Sequence, residues 1–156
     1  KKADTPPSSG SLFAYVLDKT PAKMNFINLI AKNRRMKPYF IDYISMDFSK
    51  PIEQRIVPPV ESWLRGFYDA ELVITDSFHG CVFSIIFGKP FIAFGNENRG
   101  MSRFSSLLKM FGLEDHLVVN VNDDFTNKSF GIHGDLSIHL SALQEKSRRF
   151  LIQALQ

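Results

Sequence analysis

Polar and apolar residues fall in blocks along this chain. Five blocks are short and almost entirely apolar, Asp42 being the one charged residue in them: residues 12–17, 39–44, 72–75, 90–94 and 117–119. Runs of that length without alternation are expected of strands covered on both faces. The blocks between them carry the helical period. Thr20-Pro21 supplies a cap residue and then proline at the first helical position, so a helix starts there. It is expected to reach about Met36, with Ala22, Phe26, Leu29 and Ile30 on its inner side. Lys32, Arg34, Arg35 and Lys37 at its far end suit a solvated terminus with a negative dipole end. Val60, Trp63, Leu64 and Phe67 recur at i, i+3, i+4 and i+7, the spacing of an amphipathic helix. Residues 78–87 are apolar nearly all round and predict a buried helix. Ser102 is expected to cap a further helix with Phe104, Leu107, Leu108 and Phe111 inside and Gly112 at its end. Residues 46–59 read as irregular and 120–135 as a polar loop. Leu136, Leu140, Leu143, Phe150, Leu151 and Ala154 mark a closing helix.

Strands that alternate with helices predict an α/β domain, Rossmann-like, with three layers and a mostly parallel sheet. Length fits one such domain: 156 residues, 44% hydrophobic and 22% charged, with fifteen phenylalanines to fill the core. Residues 1–10 are polar, with prolines, serines and a glycine together. They read as a linker, followed by the domain over residues 11–156. The chain is therefore expected to be one domain of a longer protein.

Net charge changes this picture little. At +3, with pI near 9.0, the chain is mildly basic, which does not by itself indicate nucleic acid. An anionic small substrate or an acidic membrane face would suit it as well. The single Cys81 excludes an intramolecular disulfide, and its apolar helix suggests a packed thiol in a reducing compartment. No apolar run approaches the roughly 20 residues that span a bilayer, and no signal peptide is visible.

Candidate chemistry concentrates just past the third apolar run, at Asp76-Ser77-Phe78-His79-Gly80. The pattern puts an imidazole in the first turn of a helix, beyond a strand's carboxyl end, where open α/β sheets bind ligands. His79 then reads as a general acid or base, with the Ser77 hydroxyl as a donor and Gly80 letting a ligand come close. Equally, His79 shares a stripe with Val82, Phe83 and Ile86 and reads as a hydrogen-bonded core histidine. Asp76 and Ser77 are the helix-cap candidates, Asp76 the stronger; a rival role for Asp76 is to orient His79. A second cluster, residues 95–103, lies between the fourth strand and the next helix at the same sheet edge. Asn96, Arg99, Ser102 and Arg103 supply donors there, the two arginines being suited to phosphate or carboxylate. The spacing matches neither a Walker motif nor a dinucleotide fingerprint. Paired cysteines, a His-x-x-x-His pair and a Gly-x-Ser-x-Gly elbow are missing, so no metal site is expected. His133 and His139 read as surface residues, and the aromatics read as core.

Residues 67–80, with Thr75-Asp76-Ser77-Phe78-His79-Gly80 as the specific block, resemble the C-terminal half of the polysaccharide pyruvyl transferase family. Residues 83–91 and 103–108 resemble it too. The resemblance implies half of a GT-B-like two-domain fold, whose N-terminal partner domain lies outside this chain and would complete the cleft. It implies transfer of the enolpyruvyl carbons of phosphoenolpyruvate to hydroxyls of a sugar or lipid-linked saccharide, in bacterial surface or exopolysaccharide synthesis. It further implies a cytoplasmic enzyme, either free or peripheral at the inner membrane face, with no cofactor, and His79 as acid/base. Many members carry an arginine two residues before that histidine, where this chain has Ser77. Either Arg99 or Arg103 then supplies the grip on the donor, or the donor differs. A nucleotide-sugar glycosyltransferase domain and a non-catalytic binding domain on the same fold remain the alternatives.

Overall fold

The computed structural model describes residues 10–41, 59–95, 100–120, 125, 130–131 and 136–155. In chain order these form β1 (Leu12–Tyr15), α1 (Pro21–Asn33), β2 (Pro38–Phe40), α2 (Val60–Asp69), β3 (Leu72–Thr75), α3 (Phe78–Ile86), β4 (Phe91–Phe94), α4 (Met101–Phe111), β5 (Leu117–Val118) and α5 (Leu136–Ala154). A short 3-10 turn, Glu114–His116, precedes β5. The five strands form one sheet in the order β2-β1-β3-β4-β5, and every neighbouring pair is parallel. The expected Rossmann-like, three-layer architecture is thus observed.

Alternation within the strands sorts the core into two layers. Leu12, Ala14, Leu72, Ile74, Ile92 and Phe94 pack against Phe26, Ile27, Ile30 and Ala31 of α1. Phe13, Tyr15, Val73, Phe91 and Ala93 face the other way, onto Phe67 of α2, Cys81 and Ile85 of α3, and Phe104 and Leu108 of α4. Burial on both faces is why the strands read as unbroken apolar runs.

Several expectations are corrected. α1 stops at Asn33, three residues early. Arg35 takes a left-handed conformation (φ 53°), the Arg35 N–H donates to the Lys32 carbonyl and the Met36 N–H to the Ala31 carbonyl. That bond pair is a Schellman ending, which turns the chain back to start β2. The buried face of α1 is Phe26, Ile27, Ile30 and Ala31, whereas Ala22 and Leu29 are exposed. α4 begins at Met101 after a left-handed Gly100 (φ 80°), so Ser102 lies inside the helix and does not cap it. Gly112 does end α4, also left-handed (φ 65°). Within the stretch read as a polar loop, Phe125 and Phe130 are buried beneath the α1 layer. α5 forms as expected, but its apolar stripe is not all covered: Phe150 and Leu151 are 68% and 58% exposed. The irregular stretch 46–58 lies outside the described residues. Among the described residues, no helix is long and apolar enough to cross a membrane.

Candidate active site

β1 and β3 lie side by side, although the chain leaves β1 for the outer strand β2 before returning to β3. Such a reversal opens a crevice at the carboxyl ends of the two strands. Here the strand ends are tied together. The Thr75 hydroxyl donates to the Tyr15 carbonyl (2.7 Å) and accepts from the Ser77 N–H (3.0 Å). Next in the chain, Asp76 turns away from α3 and across to the β1–α1 turn. Its carboxylate accepts the Leu17 N–H (2.6 Å), the Asp18 N–H (3.0 Å) and the Lys23 ammonium (2.7 Å), with the Asp76 side chain fully buried. A buried carboxylate is tolerated when charge-assisted bonds replace its water. The two cap expectations therefore fail: Ser77 occupies the N-cap position of α3 without a side-chain cap bond, and Asp76 is spent on the neighbouring turn. None of the Asp76 partners is His79, so Asp76 does not orient the imidazole.

His79 is the second residue of α3 and is exposed. The reading of it as a core histidine is thereby excluded. Its ring meets only the edge of Phe78 among the described residues, with centroids 6.0 Å apart. Around it are the Phe78, His79 and Gly80 amides, which precede the first intrahelical bond, from the Cys81 N–H to the Ser77 carbonyl (3.1 Å). They point the positive end of the helix at the same solvent that bathes the imidazole. Gly80 has a different job from the one expected. It is buried against β3, and a Cβ there would lie 2.1 Å from the Thr75 hydroxyl oxygen. Glycine is required by helix–strand contact, not by the approach of a ligand. That contact in turn fixes where the first turn of α3, and so His79, stands.

α4 brings its first turn to the same edge. The Arg103 guanidinium lies over the Phe78 ring, 5.7 Å from its centroid. Arg103, Ser102, Ser106, Leu107, Met110 and Phe78 line an open groove of about 310 Å³, largely apolar, with the guanidinium and the two serines as its polar groups. Of the predicted site residues, then, Asp76, Ser77, His79 and Gly80 sit on one turn, and Phe78 joins that turn to Ser102 and Arg103. Asn96 and Arg99 lie outside the described residues.

Cys81 is buried; burial pushes its thiol up to about 12, and the nearby Asp76 charge adds to that against a backbone hydrogen bond. His139 is exposed and donates from Nε2 to the Met110 carbonyl (2.9 Å), while His133 lies outside the described residues. Two residues escaped the sequence reading. No sequence pattern singles out Lys23, although its place three residues past the Thr20 cap aims it back over the strand ends. Its ammonium stands 5.7 Å from the centroid of the Phe94 ring. His116, in the turn before β5, is the buried histidine that the pattern had suggested for His79.

Comparison with known proteins gives one result. The family model for polysaccharide pyruvyl transferase matches residues 10–98, a span that contains β1 to β4 and the whole turn around His79. No curated protein gives a significant match. Nor does any solved structure.

Proposed function

We propose, for a chain that belongs to the polysaccharide pyruvyl transferase family, that it transfers the pyruvyl group of phosphoenolpyruvate to a sugar with His79 as the acid. The observation that carries this reading is the place of His79: exposed, on the first turn of a helix, at the carboxyl end of the strand beside the switch point. An imidazole there meets two needs of the reaction: it is reachable by substrate, and it stands beside unpaired amides that favour an anionic donor.

The His79 imidazolium gives its proton to the methylene carbon of phosphoenolpyruvate, which becomes a methyl group. Positive charge develops at the adjacent carbon, and one sugar hydroxyl attacks it. The carbon–oxygen bond to phosphate breaks, and a second hydroxyl of the same sugar closes the ketal. One hydroxyl proton returns to His79 and the other leaves with the phosphate. Arg103, at the neighbouring helix start, and Arg99 are the proposed holders of the donor's phosphate or carboxylate, in place of the arginine replaced by Ser77. The Phe78–Met110 groove, which Arg103 lines, is the proposed approach for the acceptor, a saccharide or lipid-linked saccharide of a bacterial surface polysaccharide. An N-terminal domain of GT-B type completes the cleft in this reading, and the enzyme works at the cytoplasmic side.

Running the full-length protein in D₂O with phosphoenolpyruvate and a panel of sugar acceptors tests the proposal. The expected product is a ketal whose methyl carries deuterium, with release of inorganic phosphate. Turnover with a nucleotide-sugar and not with phosphoenolpyruvate would refute it.

A further inference from the structure

The Leu17 amide, the Asp18 amide and the Lys23 ammonium converge on one point at the β1–α1 turn. Two consecutive backbone N–H groups and an ammonium are the donors with which proteins hold a phosphate or a carboxylate. The position matters as much as the donors. In open parallel sheets the turn after the strand at the switch point is where a ligand's anionic group is received, and β1 is that strand here. Yet the place is taken. The Asp76 carboxylate fills it from the end of β3, satisfies all three donors and is fully buried.

We propose that Asp76 is an internal anion that closes the β1–α1 cradle to phosphate and so sets the domain against donors that would seat a diphosphate there. A phosphate brought to this turn meets a like charge where the donors ought to be, and like charges this close in a dry site repel strongly. Nucleotide donors lose their customary anchor, while a small donor such as phosphoenolpyruvate, held at α3 and α4, is unaffected. That last clause rests on the transferase reading; the closed cradle does not. Asp76 is on this account a specificity residue that acts through occupancy, without touching the reacting atoms.

Two measurements test it. In the ¹⁵N-labelled wild-type chain, inorganic phosphate titrated to tens of millimolar is expected to leave the Leu17 and Asp18 amide resonances in place. Saturable shifts of those two amides with Asp76 intact overturn the proposal. In Asp76→Gly the cradle is empty, so formate is expected to bind and raise the melting temperature by about 3–5 °C at ~100 mM. The wild type and Asp76→Asn, in which a side chain still fills the space, are expected not to respond. A glycine variant that folds and is indifferent to both formate and phosphate overturns the proposal as well. If Asp76→Gly does not fold, the wild-type titration decides alone. The transferase reading fails separately, through absent turnover of phosphoenolpyruvate, and that result leaves the amide shifts of Leu17 and Asp18 unaffected.

Discussion

His79 stands at the carboxyl edge of the sheet with its ring in solvent, whereas His116 lies at the amino end of β4 with 4% exposure. The His116 Nδ1–H donates to the Phe91 carbonyl (2.9 Å), and its ring packs on Phe91 with centroids 4.6 Å apart. The same side chain thus serves two ends of one sheet in opposite ways. At the amino end the imidazole is a polar core group, fixed and satisfied. At the carboxyl end it is left open beside free helix amides. Parallel strands make the ends unequal, because helices return to the amino edge and begin at the carboxyl edge. Unpaired N–H groups therefore collect where the ligand site is proposed.

The difference can be broken by substitution. His79→Ala is expected to lower the pyruvyl-transfer rate by ~10²–10⁴-fold while stability moves by less than ~0.5 kcal/mol, as for an exposed side chain. Steady-state rates and a denaturant titration of the full-length protein check the two halves together. Asp76→Ala is expected to cost ~3–5 kcal/mol of stability, because Lys23 and two amides lose the charge that satisfied them. Chemical denaturation measures that loss. His116→Ala is expected to cost about 2–4 kcal/mol from the lost hydrogen bond and the cavity, with the rate per folded molecule unchanged. A full rate loss there, at normal stability, would erase the distinction between the two histidines. The smallest effect concerns Cys81. Its folded pKa is raised from 9.0 to about 12, so the folded state favours the neutral thiol. That contribution to stability is complete below pH 9 and is lost as pH rises from 9 towards 12. Stability against pH, compared between wild type and Cys81→Ser, should fall more steeply above pH 9 where the thiol is present, the raised Tyr39 phenol adding the same alkaline loss to both. In native protein at neutral pH, alkylation of Cys81 should wait for unfolding.

How much of this was legible in the sequence follows from the range of the interactions. β3 was readable to the residue, because Leu72–Thr75 is an apolar run bounded by Glu71 and Asp76. The start of α1 was readable because Thr20 and Pro21 act locally; Thr20 Oγ1 does accept the Lys23 N–H (3.3 Å). The end of α1 was not, since nothing in Arg35 announces a left-handed residue. At the site, the turn and its histidine were visible as a pattern. Whether His79 faced in or out was not, because the stripe it shares with Val82, Phe83 and Ile86 is itself only half buried: Ile86 is 49% exposed. The partners of Asp76 lie 53 to 59 residues away in sequence, and no local rule reaches that far. The reason for Gly80 was hidden for the same cause, being a contact with a strand five residues back that only the packed fold creates.

In the proposed reaction His79 delivers the proton to the donor's methylene carbon. The rate of phosphoenolpyruvate-dependent ketal formation by the full-length protein carrying His79→Gln, measured beside the wild type at equal folded fraction, decides whether it does. Glutamine keeps size and polarity but cannot carry the proton. A loss of at least ~10²-fold is expected, which no change of acceptor concentration recovers. A variant that turns over at the wild-type rate would contradict it.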